Sequence, residues 1–258
     1  MGNMKMKPSF RNFEQPLLTV MIKQTQNPEN IIAEINRALA VDAEAFGFQT
    51  EGMPREYHTK EVFEKIFSAM KGKPLYITNY KLAENADLSY DELAEELLTF
   101  ADYGATLCDV MGDMYCKHPE ELTDNEEAIT KQMQLIERLH EKGAEVLMSS
   151  HVNKFTPAEH VLEIALEHQR RGADISKIVT HAENMEQQIE NLRITNLLKE
   201  NLDIPFLFLS GGECRIHRKI GIKLGCCMCL CVCELAEGDD NPQPLITGER
   251  ILRDELQF

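Results

Sequence analysis

The sequence predicts a single-domain α/β protein of the (β/α)8 TIM-barrel class, and three observations predict it. Eight short apolar runs alternate with eight stretches of helical periodicity in 258 residues, the number of units and the size of such a barrel. The triplets Gly104-Ala105-Thr106, Gly143-Ala144-Glu145 and Gly172-Ala173-Asp174 repeat one junction. Glycine accepts the left-handed backbone just past a helix end, so each triplet reads as a helix stopping and a strand starting. Helix openings carry capping signals, at Asn27-Pro28, from Ser89 to Glu92, and at Thr156-Pro157-Ala158-Glu159. An open doubly wound sheet is the other arrangement of the same alternation.

In order, 17–22 is the first strand, and Ile31, Ile32, Ile35, Ala38 and Leu39 mark the first helix. Residues 43–49 follow as a strand, with Val62, Phe63, Ile66, Phe67 and Met70 on the next helix. The third pair is 74–78 and the helix carrying Leu93, Leu97 and Phe100; the fourth is 106–111 and the helix carrying Ile129, Met133, Ile136 and Leu139. Residues 145–150 and the helix after Thr156 are the fifth. The sixth is the strand after Gly172 with a helix over 184–198, and the seventh is 205–209 with 215–223. A cysteine-rich strand and a closing helix over 251–256 complete the set. The polar start, 1–16, reads as an N-terminal extension capping the barrel formed by 17–258.

Composition narrows the partners. With 27 basic and 43 acidic side chains the net charge is −16, which excludes nucleic acid and an anionic membrane as electrostatic partners. No window approaches the roughly 20 apolar residues of a membrane span, and the start lacks a signal-peptide core, so a cytoplasmic protein is expected. Five of the eight cysteines lie between Cys226 and Cys233. Four alternate as a strand would, reading as small hydrophobes in a reducing cell. A metal site is the alternative, although this spacing differs from the two-residue gap of zinc knuckles.

The chemistry points to Lys177. In a strand it shares a face with Ile175 and Val179, and burying an ammonium among aliphatics favours loss of its proton. A neutral amine condenses with a ketone to give a Schiff base, an electron sink. An edge-strand lysine with its head in water is the plainer reading. In a barrel the working groups sit at the C-terminal ends of strands, and strand five ends in Ser149-Ser150-His151. This places an imidazole, able to move protons near neutral pH, beside the lysine.

The segment from Ser149-Ser150-His151 to Thr156-Pro157, followed by Gly172-Ala173-Asp174-Ile175-Ser176-Lys177-Ile178-Val179, resembles the type I 3-dehydroquinate dehydratases. Their pattern is Ser-Tyr-His-Asp-Phe and, one helix later, Gly-Ala-Asp-Ile-x-Lys-Ile-Ala. The resemblance extends more weakly from Arg11-Asn12 to Leu256. It implies a barrel, commonly a homodimer, that dehydrates 3-dehydroquinate to 3-dehydroshikimate in the shikimate pathway, without metal or cofactor. By this resemblance Lys177 forms the imine and His151 is the general acid and base, with Glu84 matching the family's glutamate near the histidine.

The family's Glu-x-Arg after strand two appears here as Gly47-Phe48-Gln49, and its Thr-x-Arg after strand three as Thr78-Asn79-Tyr80. Gln49, Asn79 and Tyr80 are therefore the expected substrate contacts there. Arg218, in preference to Arg215, would pair the substrate carboxylate, and Gln243 would close the site from the shortened loop Asp240-Asn241-Pro242-Gln243. The expected partner is a small hydroxy-ketone carboxylate. The lost charges leave two further readings: a Schiff-base lyase or aldolase for another hydroxy ketone, and a non-catalytic barrel. The acidic runs 92–96 and 120–127 read as solvated helix starts. His181 and His217 fall near the mouth without a family role.

Overall fold

The computed structural model describes residues 8–11, 14–235 and 243–255. Eight strands alternate with eight helices. In chain order they are β1 (Leu17–Met21), α1 (Pro28–Ala40), β2 (Ala45–Gln49), α2 (Lys60–Ala69), β3 (Leu75–Thr78), α3 (Tyr90–Tyr103), β4 (Leu107–Met111) and α4 (Glu126–Glu141). There follow β5 (Glu145–His151), α5 (Ala158–Arg170), β6 (Ile175–His181), α6 (Met185–Asn201), β7 (Phe206–Gly211), α7 (His217–Leu224), β8 (Met228–Cys231) and α8 (Ile246–Glu255).

The strands are parallel and run β7-β6-β5-β4-β3-β2-β1-β8 around the sheet. At the remaining seam the Cys227 N–H donates to the Phe206 carbonyl (2.9 Å), so the sheet is a nearly closed (β/α)8 barrel rather than an open doubly wound one. A parallel neighbour needs a crossover, and each helix supplies one while covering the outside. The outward strand residues Phe46, Ile77, Val110 and Val146 pack under the helices. Leu17, Ala45, Leu107, Leu147, Ile175, Leu207 and Met228 fill the interior.

The three glycine junctions have a common geometry. Gly104, Gly143 and Gly172 have φ of 118°, 70° and 96°. The alanine after each donates its N–H five residues back, to Phe100, Leu139 and His168 respectively. That bond satisfies a carbonyl the helix end leaves open. Asn27 and Ser89 cap their helices, the latter with the full reciprocal pair to Glu92.

Several boundaries differ from expectation. Thr156 does not cap α5: Pro157 is the N-cap, the Thr156 hydroxyl donates to Lys154, and Glu190 of α6 accepts the Ala158 N–H instead. The local motif yields here to a carboxylate supplied by the neighbouring helix. The closing helix begins at Ile246, five residues before the apolar spacing shows it, because its first turn, Ile246-Thr247-Gly248-Glu249, holds one apolar side chain and so carries no period. Cysteines 229 and 231 are buried on the outward face of β8, where burial lifts both thiols above their ordinary range. Among the described residues no group of three or more His, Cys, Asp or Glu side chains could hold a metal.

Of the N-terminal segment, Phe10 is 2% exposed and packs with the interior residues at the N-terminal end of the strands. Its N–H donates to Glu145 (2.7 Å), and Arg11 pairs with Asp174 (2.6 Å). Asn12 and Leu256 lie outside the described residues.

Candidate active site

At the C-terminal ends of the strands a cavity of about 310 Å³ opens, lined by Lys177, His151, Tyr76, Tyr80, Gln49, Arg218 and Gln243 among others. Six residues singled out from the sequence thus meet in one space. A larger groove of about 730 Å³ between α7 and α8 holds Arg215, but neither Lys177 nor His151 lines it. The smaller cavity is the one that brings Lys177 and His151 together.

Lys177 is 5% exposed, pointing inward from the middle of β6 as strand alternation requires. Its surroundings are not the aliphatic shell its neighbours in sequence suggested. Asp109 Oδ2 stands 3.4 Å from Nζ, and Nζ donates to the hydroxyls of Tyr76 (2.9 Å) and Tyr80 (3.2 Å). The wall opposite β6 thus supplies the lysine head group with a carboxylate and two hydroxyl partners that its sequence neighbours do not show. Tyr76 and Tyr80 both donate to Asp109 Oδ2, and Ser149 donates to Oδ1 (2.6 Å). Burial, followed by the charge of Asp109, pushes both phenols well above their ordinary range.

His151 ends β5, whose register places Ser149 beside Lys177 and His151 beside Val179. Its Nδ1 donates to Glu121 Oε2 (2.7 Å), and its backbone N–H reaches the same oxygen (2.9 Å). This fixes the ring with Nε2 available to the cavity. Burial works to raise the Glu121 carboxyl, but the bonds and charge of His151 prevail and hold it below its ordinary value. Glu121 sits at φ 48°, its carbonyl accepting from Ser150 (2.7 Å). Buried Arg171 ties down the same loop through the carbonyls of Gly112 and Thr123.

Glu84 is exposed on the one-turn helix Ala83–Asn85, and no hydrogen bond joins it to His151 among the described residues. The glutamate on the histidine is Glu121. It belongs to an acidic run read from sequence as solvated, and Glu96 of the other run likewise faces inward, pairing with Arg55 and Asn79. Asn79, 5% exposed, is held in that network with Thr50 and Asn85, away from the cavity. Arg218, from α7, lines the cavity while donating Nε to the Ser210 carbonyl (3.0 Å). Asp240, Asn241 and Pro242 lie outside the described residues. His217 is fully buried against Phe208, which drives it down to about 4, and His181 stands 3.7 Å from Glu183.

A Cβ on Gly47 would lie 2.1 Å from Met21 Sδ, with Tyr76 Cδ1 at 3.4 Å, so the Met21 thioether occupies the place where a side chain at position 47 would begin.

A family model described as type I 3-dehydroquinase matches residues 24–234. The chain belongs to the type I 3-dehydroquinase family. The 3-dehydroquinate dehydratase of Clostridium novyi is 26% identical over 202 residues, spanning 76% of this chain and 73% of that protein. The one from Syntrophotalea carbinolica is 33% identical over 93 residues, 34% of this chain and 37% of that protein. In fold, the chain is similar to the type I 3-dehydroquinate dehydratase of Clostridium difficile solved with covalently modified comenic acid. The TM-score is 0.78 at 19% identity, covering 95% of this chain and 96% of that one. The Geobacillus kaustophilus 3-dehydroquinate dehydratase gives a TM-score of 0.80 at 15% identity, covering 96% and 93%.

In this type I family member Lys177 and His151 line one cavity together with Tyr76, Tyr80 and Arg218. Asp109, Tyr76 and Glu121 had escaped the sequence reading. Asp109 carried a usable signal, a charge on the inward positions of an apolar strand, which is the argument that found Lys177. Tyr76 and Glu121 carried none: an aromatic in a buried strand and a glutamate in an acidic loop are ordinary.

Proposed function

We propose that the chain is a hydro-lyase of the shikimate pathway that dehydrates 3-dehydroquinate to 3-dehydroshikimate through an imine on Lys177. Family membership sets the reaction class, and the observation that carries the residue assignment is that Lys177, His151 and Arg218 face one cavity. Arg218 pairs the substrate carboxylate, which orients the ring with its ketone toward Nζ. The amine adds to the ketone carbon and water leaves, giving an iminium that acidifies the neighbouring carbon. His151 Nε2 removes that carbon's proton, and the electron pair moves toward the iminium nitrogen. The returning pair expels the β-hydroxyl, which takes a proton from the imidazolium and departs as water. Hydrolysis of the imine frees product and lysine. Glu121 holds the imidazole and stabilises its charged form. Gln49 and Gln243 hydrogen-bond the ring hydroxyls, and Tyr80 borders the ketone. Glu84, exposed and apart from His151, has no part in this scheme.

The substrate is a small hydroxy-ketone carboxylate, and no helix among the described residues is long and apolar enough to cross a membrane. The exposed Met185, Ile189 and Leu192 along α6 support the expected homodimer, which light scattering would test. A second substrate is favoured by one observation: Met21 Sδ lies where a side chain at Gly47, the position the resemblance matches to an acidic contact, would begin.

The test is borohydride reduction in the presence of 3-dehydroquinate, followed by peptide mass spectrometry. The expected result is a ligand-sized adduct on Lys177, absent from Lys177→Ala, together with 3-dehydroshikimate release by the untreated enzyme. An adduct without turnover would transfer the reading to another hydroxy ketone.

A further inference from the structure

The bonds around Lys177 form a directed chain. Nζ donates to the Tyr76 and Tyr80 hydroxyls, and each of those hydroxyls donates onward to Asp109 Oδ2. Asp109 is fully buried and does not line the cavity, whereas both tyrosines do. The phenols thus stand between a proton donor at the cavity and a proton acceptor behind it. Nζ also meets Asp109 Oδ2 directly, at 3.4 Å, but the Tyr76 hydroxyl at 2.9 Å is nearer and donates to the same carboxylate oxygen. By the resemblance, Tyr80 stands where the family's Thr-x-Arg has its arginine, and Tyr76 lies outside that motif.

We propose that Tyr76 and Tyr80 relay protons between Lys177 and Asp109 while the imine forms. The proposal rests on Lys177 being the imine-forming residue. The ammonium passes one proton to a tyrosine oxygen as that hydroxyl gives its own to Asp109, leaving a free amine and a neutral carboxyl. The nitrogen lone pair forms the C–N bond, and the carbonyl pair moves to oxygen. A second nitrogen proton shifts through the hydroxyls to that oxygen, giving a neutral carbinolamine. Asp109 then returns its proton through a tyrosine to the carbinolamine hydroxyl. Water leaves, the nitrogen pair closes the C=N bond, and the carboxylate is restored. The net change is ammonium plus ketone to iminium plus water. His151 is left free for the carbon acid.

Rapid mixing with 3-dehydroquinate, borohydride quenching and quantification of the Lys177 adduct reads this step alone. Tyr76→Phe/Tyr80→Phe should slow adduct formation by about 10²-fold, the lower end of the effect of a positioned acid or base, and each single change by less. Asp109→Asn discriminates roles: a relay predicts slower trapping, while a counter-charge alone predicts faster trapping, because the lysine then releases its proton more readily. Trapping by the double variant within about twofold of wild type, or faster trapping by Asp109→Asn, overturns the relay. Should the variants not fold by circular dichroism, the solvent deuterium effect on wild-type trapping decides: a slowing in D2O supports the relay, and equal rates overturn it. Levulinate, a small keto acid, separates the two readings. If wild type traps levulinate but not 3-dehydroquinate, the substrate reading fails and the relay is judged on levulinate rates. If it traps neither, both fail.

Discussion

At the scale of single residues, two glutamates show how little sequence position says about a carboxylate's role. Glu84, the glutamate to which the sequence resemblance points, is exposed, while Glu121, from an acidic run, holds His151 by two hydrogen bonds. Glu121→Gln keeps the shape but removes the charge that stabilises the imidazolium. It should lower kcat by roughly 10- to 100-fold, less than the full effect of a positioned acid or base because the imidazole itself remains, and leave KM within about twofold. Steady-state kinetics at neutral pH checks this, and an unchanged kcat would mean that the ring needs no such partner.

At the scale of elements, what positions the site is the fastening of strands and loops to one another. Asp174, from the Gly-Ala-Asp triplet, accepts from the Val146 N–H (2.8 Å), His140 (2.7 Å) and Arg11 (2.6 Å). It aligns β5 with β6, and so His151 with Lys177, from the far end of the strands. The α8–β8 contact gives a pH prediction. Glu249 is 2% exposed against Cys229, and burial pushes its carboxyl from 4.5 up to about 7. The folded state therefore holds a proton that the unfolded chain has released between pH 4.5 and 7, and stability is lost as pH rises through that window. Glu249→Gln abolishes this loss. Its urea midpoint should match wild type near pH 5 and exceed it at pH 8, by about 2 kcal/mol in unfolding free energy. Equal midpoints at both pH values would show a carboxyl that ionises freely in the fold.

At the scale of the molecule, the barrel has a working end and a closed end. Phe10 packs with interior residues at the closed end, remote from Lys177, and we propose that the N-terminal extension caps the barrel there. Truncating a buried aromatic costs about 3–5 kcal/mol. Phe10→Ala should therefore lower Tm by several degrees and leave kcat unchanged at a temperature where the variant is folded. A large fall in kcat without loss of Tm would contradict a purely structural cap.

The order of elements, the glycine junctions and the inward-facing lysine were legible because they depend on local rules: side-chain periodicity, left-handed φ at a helix end, alternation along a strand. Glycines 104, 143 and 172 and the Ser89 capping box are decided within a few residues of chain, so the sequence by itself determined them, and with them the eight-fold count. His151 needed only its place at a strand end. The surroundings of Lys177 are of another kind. Its partners Tyr76, Tyr80 and Asp109 lie 101, 97 and 68 residues away, and closure of the sheet brings them together. Whether a buried charge loses its proton or gains a counter-ion depends on what the opposite wall of the barrel presents. Only the tertiary structure decided that, because the low-dielectric interior couples groups by distance in space and not along the chain.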